Sequence, residues 1–143
     1  MTITQTAQTI SGQLSNCIKS LRDASGKPDK FAHLENKMND RLMLCFSVNL
    51  GAIGNIVIGM DNHHNHQRPH VHAKTNAGRV SIAIDNGEIL HKKPKRVDNH
   101  SLSQIKNWVL LKNECLKFIY QNIQKIKSSK DFEPLIHALN KYL

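Results

Sequence analysis

The spacing of apolar residues changes period along the chain, and this change constrains the fold more than any other feature. Ile10, Leu14, Cys17, Ile18 and Leu21 recur at helical spacing, and the turn-forming run Asp23–Pro28 ends that stretch. From Leu42 the period falls to two: Leu42, Leu44, Phe46 and Val48 alternate with other residues, and Val80, Ile82 and Ile84 do the same further on. Ile105, Trp108, Val109, Leu116, Ile119, Ile123 and Ile126 then return to helical spacing. Side chains two apart share one face of a strand, and side chains three or four apart share one stripe of a helix. A chain patterned this way must cover a sheet face with a helix stripe.

Turn signals divide the middle of the chain. Leu50–Asn55, with two glycines, reads as a turn before the β-branched run Ile56–Met60, and Thr75–Gly78 reads as another. Asp85-Asn-Gly-Glu88 is a strong hairpin signal, with Glu88–His91 as the returning strand. Ser101-Leu-Ser-Gln104 fits a capping box at the start of a long helix that Ser128-Ser129 would end, with a short final helix over Asp131–Tyr142. Residues Lys30–Asn39 read as a second short helix after the N-terminal one. The expected class is α+β: an antiparallel meander of four to five strands packed against a long C-terminal helix. The expected division is an N-terminal helical extension over 1–45 and a single α+β domain over 46–143.

At 143 residues there is material for one real core and hardly two. No run of 18 or more apolar residues occurs, so a membrane span is not expected, and residues Met1–Gln8 do not read as a secretory signal. Cys17, Cys45 and Cys115 are widely spaced with no CxxC pair, which argues against a disulfide framework or a cysteine zinc site and fits a reducing cytoplasm. Twenty Lys and Arg against eleven Asp and Glu give a net charge of +9. That excess favours an anionic partner, nucleic acid first.

The densest chemical feature is the segment Asp61–His72, which holds His63, His64, His66, His70 and His72. His70 and His72 lie two apart on an expected strand and so project from one face. With His66 in the preceding loop, three imidazoles can converge. Such a set suits a three-nitrogen metal site with water in the fourth position. It equally suits an acid–base pair around a phosphate, because imidazole titrates near neutral pH. The pattern also fits a solvated loop followed by the wet face of a strand. The cofactor expectation is therefore none, or a divalent metal held by His66, His70 and His72.

Positive charge surrounds this segment. His91-Lys-Lys-Pro-Lys-Arg96 places Lys92, Lys93, Lys95 and Arg96 directly after the hairpin, and Arg68, Lys74 and Arg79 lie beside the histidines. Such residues hold a phosphate backbone without reading its sequence. Aromatic residues make up only 5% of the chain, which gives little support for base stacking. Lys112 falls in the middle of the apolar stripe, where an ammonium group either snorkels to the edge or points at a polar site holding Asp85, Glu88 or an anion.

The run His66-Gln-Arg-Pro-His-Val-His-Ala73 resembles a family of small bacterial proteins known as the domain of unknown function 4160 family. The likeness extends to a preceding strand such as Ile56–Met60, a strand and turn such as Ile82–Leu90, a basic connection and a helix containing Trp108. It covers roughly Gly54 to Ile123, and Lys112 stands where relatives commonly carry histidine. The resemblance implies a component of a toxin–antitoxin or mobile-element module, often encoded beside a second small protein that would be its cognate partner. The functional expectation is thus a toxin-like protein acting on nucleic acid, an RNase among the options. His66, His70, His72 and Lys112 would form its catalytic set, and Arg68, Lys74, Lys92, Lys93, Lys95 and Arg96 its nucleic-acid contacts. The alternatives are a non-enzymatic antitoxin, inhibitor or adaptor, and a histidine-ligated metalloprotein.

Overall fold

A computed structural model of the chain describes residues 3–23, 32–38, 44–61, 68–90 and 97–126. The element order is helix α1 (Ile3–Asp23), strands β1 (Ala32–Met38), β2 (Leu44–Ile53), β3 (Ile56–Asp61), β4 (His70–Thr75) and β5 (Gly78–Ala83), then helices α2 (Asn99–Leu111) and α3 (Asn113–Gln124). The five strands form one antiparallel sheet in sequence order, so the α+β meander expected from the periodicity is present. No helix among the described residues is long and apolar enough to cross a membrane.

Several local expectations are corrected. The segment read as a second helix is strand β1, paired to β2 from Ala32↔Val48 to Met38↔Leu44. Ala32, Leu34 and Met38 are spaced by even numbers and fit one face of a strand as well as a helical stripe, and pairing to β2 satisfies the backbone groups of the segment. The turn read over Leu50–Asn55 is much shorter. β2 runs on to Ile53 through a register shift between Asn49 and Gly51, and only Gly54-Asn55 separate the paired Ile53 and Ile56. Gly54 supplies the positive φ of 58° that so tight a connection demands.

The returning strand after Asp85–Glu88 is reduced to a single bridge, Ile82↔Ile89. Gly87 N donates to Ala83 O and Ala83 N donates to Glu88 O, which closes a compact loop in place of a two-residue hairpin. The cap of α2 is also not at Ser101. Asp98 precedes the helix in extended conformation, and its side chain accepts from the Ser101 backbone N–H. Ser101 is therefore the residue whose orphan amide is satisfied, not the one that satisfies it.

The single long C-terminal helix is two helices that meet at Lys112 (φ −109°, ψ 18°). The hydrogen-bond ladder passes through the joint, since Lys112 N donates to Trp108 O and Leu116 N to Lys112 O. The apolar stripe survives the bend: Ile105, Trp108, Val109, Leu116, Ile119, Ile123 and Ile126 are all buried. Leu14, Ile18 and Leu21 of α1 belong to the same core cluster, with Val48, Ile58, Met60, Val71, Val80, Ile82 and Ile84 from the sheet. Each such side chain taken fully from water contributes on the order of 1.5–3 kcal/mol. The 1–45 stretch thus holds both a helix and a strand, and each is joined to the rest of the molecule. Ser128-Ser129 and the helix expected over 131–142 lie outside the described residues.

Candidate functional site

The site grows from the register of the sheet. Cross-strand pairing places Asn49, Gly59, His72 and Ser81 side by side on β2, β3, β4 and β5. Because side chains alternate, Asp61, His70, Lys74 and Arg79 share that face, while Ile58, Met60, Val71, Ala73, Val80 and Ile82 point to the other. Gly59 has no room for a side chain: a Cβ there would meet the Val48 carbonyl oxygen at 2.6 Å and Asn49 Oδ1 at 3.0 Å. Along His70–Ala73 every residue is buried, so β4 is covered on both faces at this end. That is why His70 and His72, expected on a polar face, are only 3% and 7% exposed.

Both histidines point the same way and touch. Their ring centroids are 4.8 Å apart at an interplanar angle of 81°, an edge-to-face contact. Asp61 Oδ2 lies 3.1 Å from His72 Nε2, and His72 Nδ1 lies 3.1 Å from Ser81 Oγ. An ionised carboxylate only accepts, so Nε2 of neutral His72 carries the proton and Nδ1 accepts from the Ser81 hydroxyl. The result is a continuous line of carboxylate, imidazole and hydroxyl. Arg79 Nη2 approaches the same Asp61 oxygen at 3.0 Å, so the carboxylate, only 9% exposed, has two cationic or donating neighbours.

His70 is held from a different direction. Its Nδ1 donates to the Arg68 carbonyl oxygen at 2.9 Å, which puts the lone pair of the neutral ring on Nε2. Tyr120, from α3, brings its ring to 5.9 Å from that of His70. Burial raises the Tyr120 phenol above its ordinary pKa, and the negative charge of Asp61 adds to the shift. Tyr120 is thereby within the electrostatic reach of the cluster.

The remaining expected residues are distributed as follows. Arg68 Nη1 bonds Glu88 Oε2 at 2.7 Å and Nη2 bonds Asp85 Oδ1 at 3.0 Å. These contacts raise the Arg68 pKa further, and the Arg68 guanidinium holds the Glu88 carboxyl below its ordinary value. Its charge is therefore offset by two carboxylates. Arg68 acts instead as a tie, with Ile84 N donating to Pro69 O, between the loop after β5 and the backbone that holds His70. Lys74 is exposed at the open end of β4, opposite Arg79. Lys112 Nζ donates to Ser20 Oγ of α1 at 3.0 Å and borders a cleft with Asn16, Lys19 and Asp23, which contains none of the histidine-cluster residues. His63, His64, His66, Lys92, Lys93, Lys95 and Arg96 lie outside the described residues.

Among the described residues no group of three His, Cys, Asp or Glu side chains is placed to hold a metal ion. At this pair both nitrogens of His72 and Nδ1 of His70 are engaged by Asp61, Ser81 and a carbonyl oxygen, and His66, the third expected ligand, lies outside the described residues. What the arrangement can do is take a proton from a hydroxyl at His72 Nδ1 while Asp61 steadies the imidazolium that forms.

Asp61, Ser81 and Tyr120 were not among the expected site residues. Asp61 is visible as the first residue of the segment Asp61–His72, and Ser81 as the polar position between Val80 and Ile82. Neither carries a signal until the register is known. No curated protein and no solved structure matches the chain. Residues 55–120, the segment that holds Asp61, His70, His72, Ser81 and Tyr120, match the model of the family described as Domain of unknown function (DUF4160).

Proposed function

We propose that the chain acts on nucleic acid as a phosphodiesterase, with RNA the first substrate to test, and that His72 is its general base with His70 beside it. The observation that carries the reading is the Asp61–His72 pair: a buried carboxylate 3.1 Å from an imidazole whose other nitrogen faces a hydroxyl. An imidazole so oriented has one defined proton-accepting atom, the requirement for general base catalysis. The net charge of +9, with Lys74 and Arg79 on the face that carries the histidines, supports a polyanion as substrate. The setting implied by the motif is that of a toxin-like component of a bacterial toxin–antitoxin or mobile-element module, with a cognate small protein as partner.

The test is cleavage of labelled RNA by the purified full chain and growth arrest on its expression, each compared with His72→Gln. Loss of cleavage by about 100- to 10,000-fold in a variant with unchanged far-ultraviolet circular dichroism is the expected result. Full activity in His72→Gln would sink the reading.

A second reading is favoured by a different observation. Leu111 is 74% exposed and Leu110 beside it 37% exposed, at the joint of α2 and α3. In that reading the protein is a binding module, and the buried histidines are structural. Tight association with a protein or nucleic-acid partner that survives His72→Gln, without any cleavage, supports it.

A further inference from the structure

We propose that Ser81 is the nucleophile of this site and that the reaction passes through a phosphoryl group bonded to its Oγ. The inference rests on the phosphodiesterase reading and names the attacking atom that reading leaves open. It follows from three features that meet only in the folded sheet. Ser81 Oγ lies 3.1 Å from His72 Nδ1, the proton-accepting atom of the ring. His72 Nε2 is in turn held by Asp61 at 3.1 Å, so nucleophile, base and orienting carboxylate stand in line. Ser81 is only half-buried, whereas His72 is 7% exposed, so the hydroxyl is the member of the line that a substrate reaches first.

The backbone keeps Ser81 where it is needed. His72 and Ser81 are direct cross-strand partners, and the Ser81 carbonyl also accepts from Leu90 N at 2.9 Å. Arg79, two residues earlier on the same face, supplies positive charge near the reacting group while bonding Asp61.

The step balances as follows. Ser81 Oγ forms a bond to phosphorus, its proton passes to His72 Nδ1, and the bond from phosphorus to the leaving oxygen breaks. The imidazolium then returns the proton to that oxygen. In the second half a water attacks phosphorus and gives a proton to Nδ1, the bond to Oγ breaks, and Oγ takes the proton back. No 2′-hydroxyl takes part, so DNA strands and RNA lacking 2′-hydroxyls are cleaved as well as RNA.

A fluorophosphonate is the probe, because it offers phosphorus with fluoride as leaving group and reads the nucleophile without knowledge of the natural substrate. Full-length protein is treated with it, and the adduct is located by intact mass and peptide mapping, alongside cleavage of matched RNA and 2′-deoxy strands. The expected result is one adduct, on Ser81, absent in Ser81→Ala, slowed about 100-fold or more in His72→Gln, and unchanged in the control Ser103→Ala. Cleavage of both strand types should fall with Ser81→Ala. If Ser81 stays unlabelled while RNA alone is cleaved and only His72→Gln abolishes that cleavage, the serine nucleophile is wrong and the histidine-centred reading stands. Wild-type cleavage by a folded Ser81→Ala protein overturns it equally. Neither label nor cleavage in the wild type overturns both.

Discussion

At Arg68 and Lys74, two residues of one charge type lead separate lives. Sequence position makes them equal candidates for phosphate contact, yet Arg68 is bonded to Asp85 and Glu88 and Lys74 has no carboxylate partner among the described residues. A cation already facing two anions releases few counterions when nucleic acid binds. The salt dependence of binding to a single-stranded oligonucleotide should therefore separate them. Lys74→Ala should lower the slope of log affinity against log salt by about 1, while Arg68→Ala leaves it nearly unchanged. Equal changes in both would show that the Arg68 ion pairs open on binding. Arg68→Ala has a second consequence, since its side-chain bonds to Asp85 and Glu88 steady the backbone whose carbonyl holds His70: any loss of activity should appear without a change in the salt slope.

At the scale of elements, α1 packs as part of the core and not as an appended arm. Ile18 and Leu21 are fully buried, and Cys17 of α1 and Cys115 of α3 both pack against the same core. Replacing Ile18 by Ala leaves a hole that neighbours close only in part, at a cost of about 2–5 kcal/mol. Urea denaturation followed by circular dichroism should show that loss in a single transition. A change below about 0.5 kcal/mol, or a separate early transition for α1, would mean that the helix is not part of the cooperative unit. The joint at Lys112 illustrates how an element can be right in pattern and wrong in number. The apolar stripe runs unbroken through it, while the backbone turns and the lysine reaches Ser20 of α1.

For the whole molecule, stability should depend on pH in the alkaline range, through two groups. Burial pushes the Cys17 thiol from 9.0 up to about 12, with Cys115 adding to the shift, and burial with the charge of Asp61 raises Tyr120 above 10.0. In each case the fold holds the protonated form more tightly than the unfolded chain does. The stabilisation is fully present below the unfolded values and is lost as pH rises through them toward the folded ones. Thermal midpoints should therefore decline as pH rises from about 9 toward 12, a range set by the Cys17 shift. Cys17→Ala should decline less over that interval than the wild type. An identical decline in both proteins would remove Cys17 from the explanation.

The chain's pattern by itself determined the class of the fold, the meander, the apolar stripe of the final helices and the sharing of one face by His70 and His72. Those properties depend on alternation and helical period, which are local and survive any arrangement of neighbours. The strand nature of Ala32–Met38, the bend at Lys112 and the cap at Asp98 were decided by what lies alongside. Pairing partners and packing surfaces override weak local preference there. The site was split the same way. The histidines announced themselves by their density, but Asp61, Ser81 and Tyr120 lie 11, 9 and 48 residues from His72 along the chain and gain meaning only from the register of β3, β4 and β5 and the docking of α3. Register depends on pairings between distant segments, so only the tertiary structure fixes which hydroxyl and which carboxylate meet the ring.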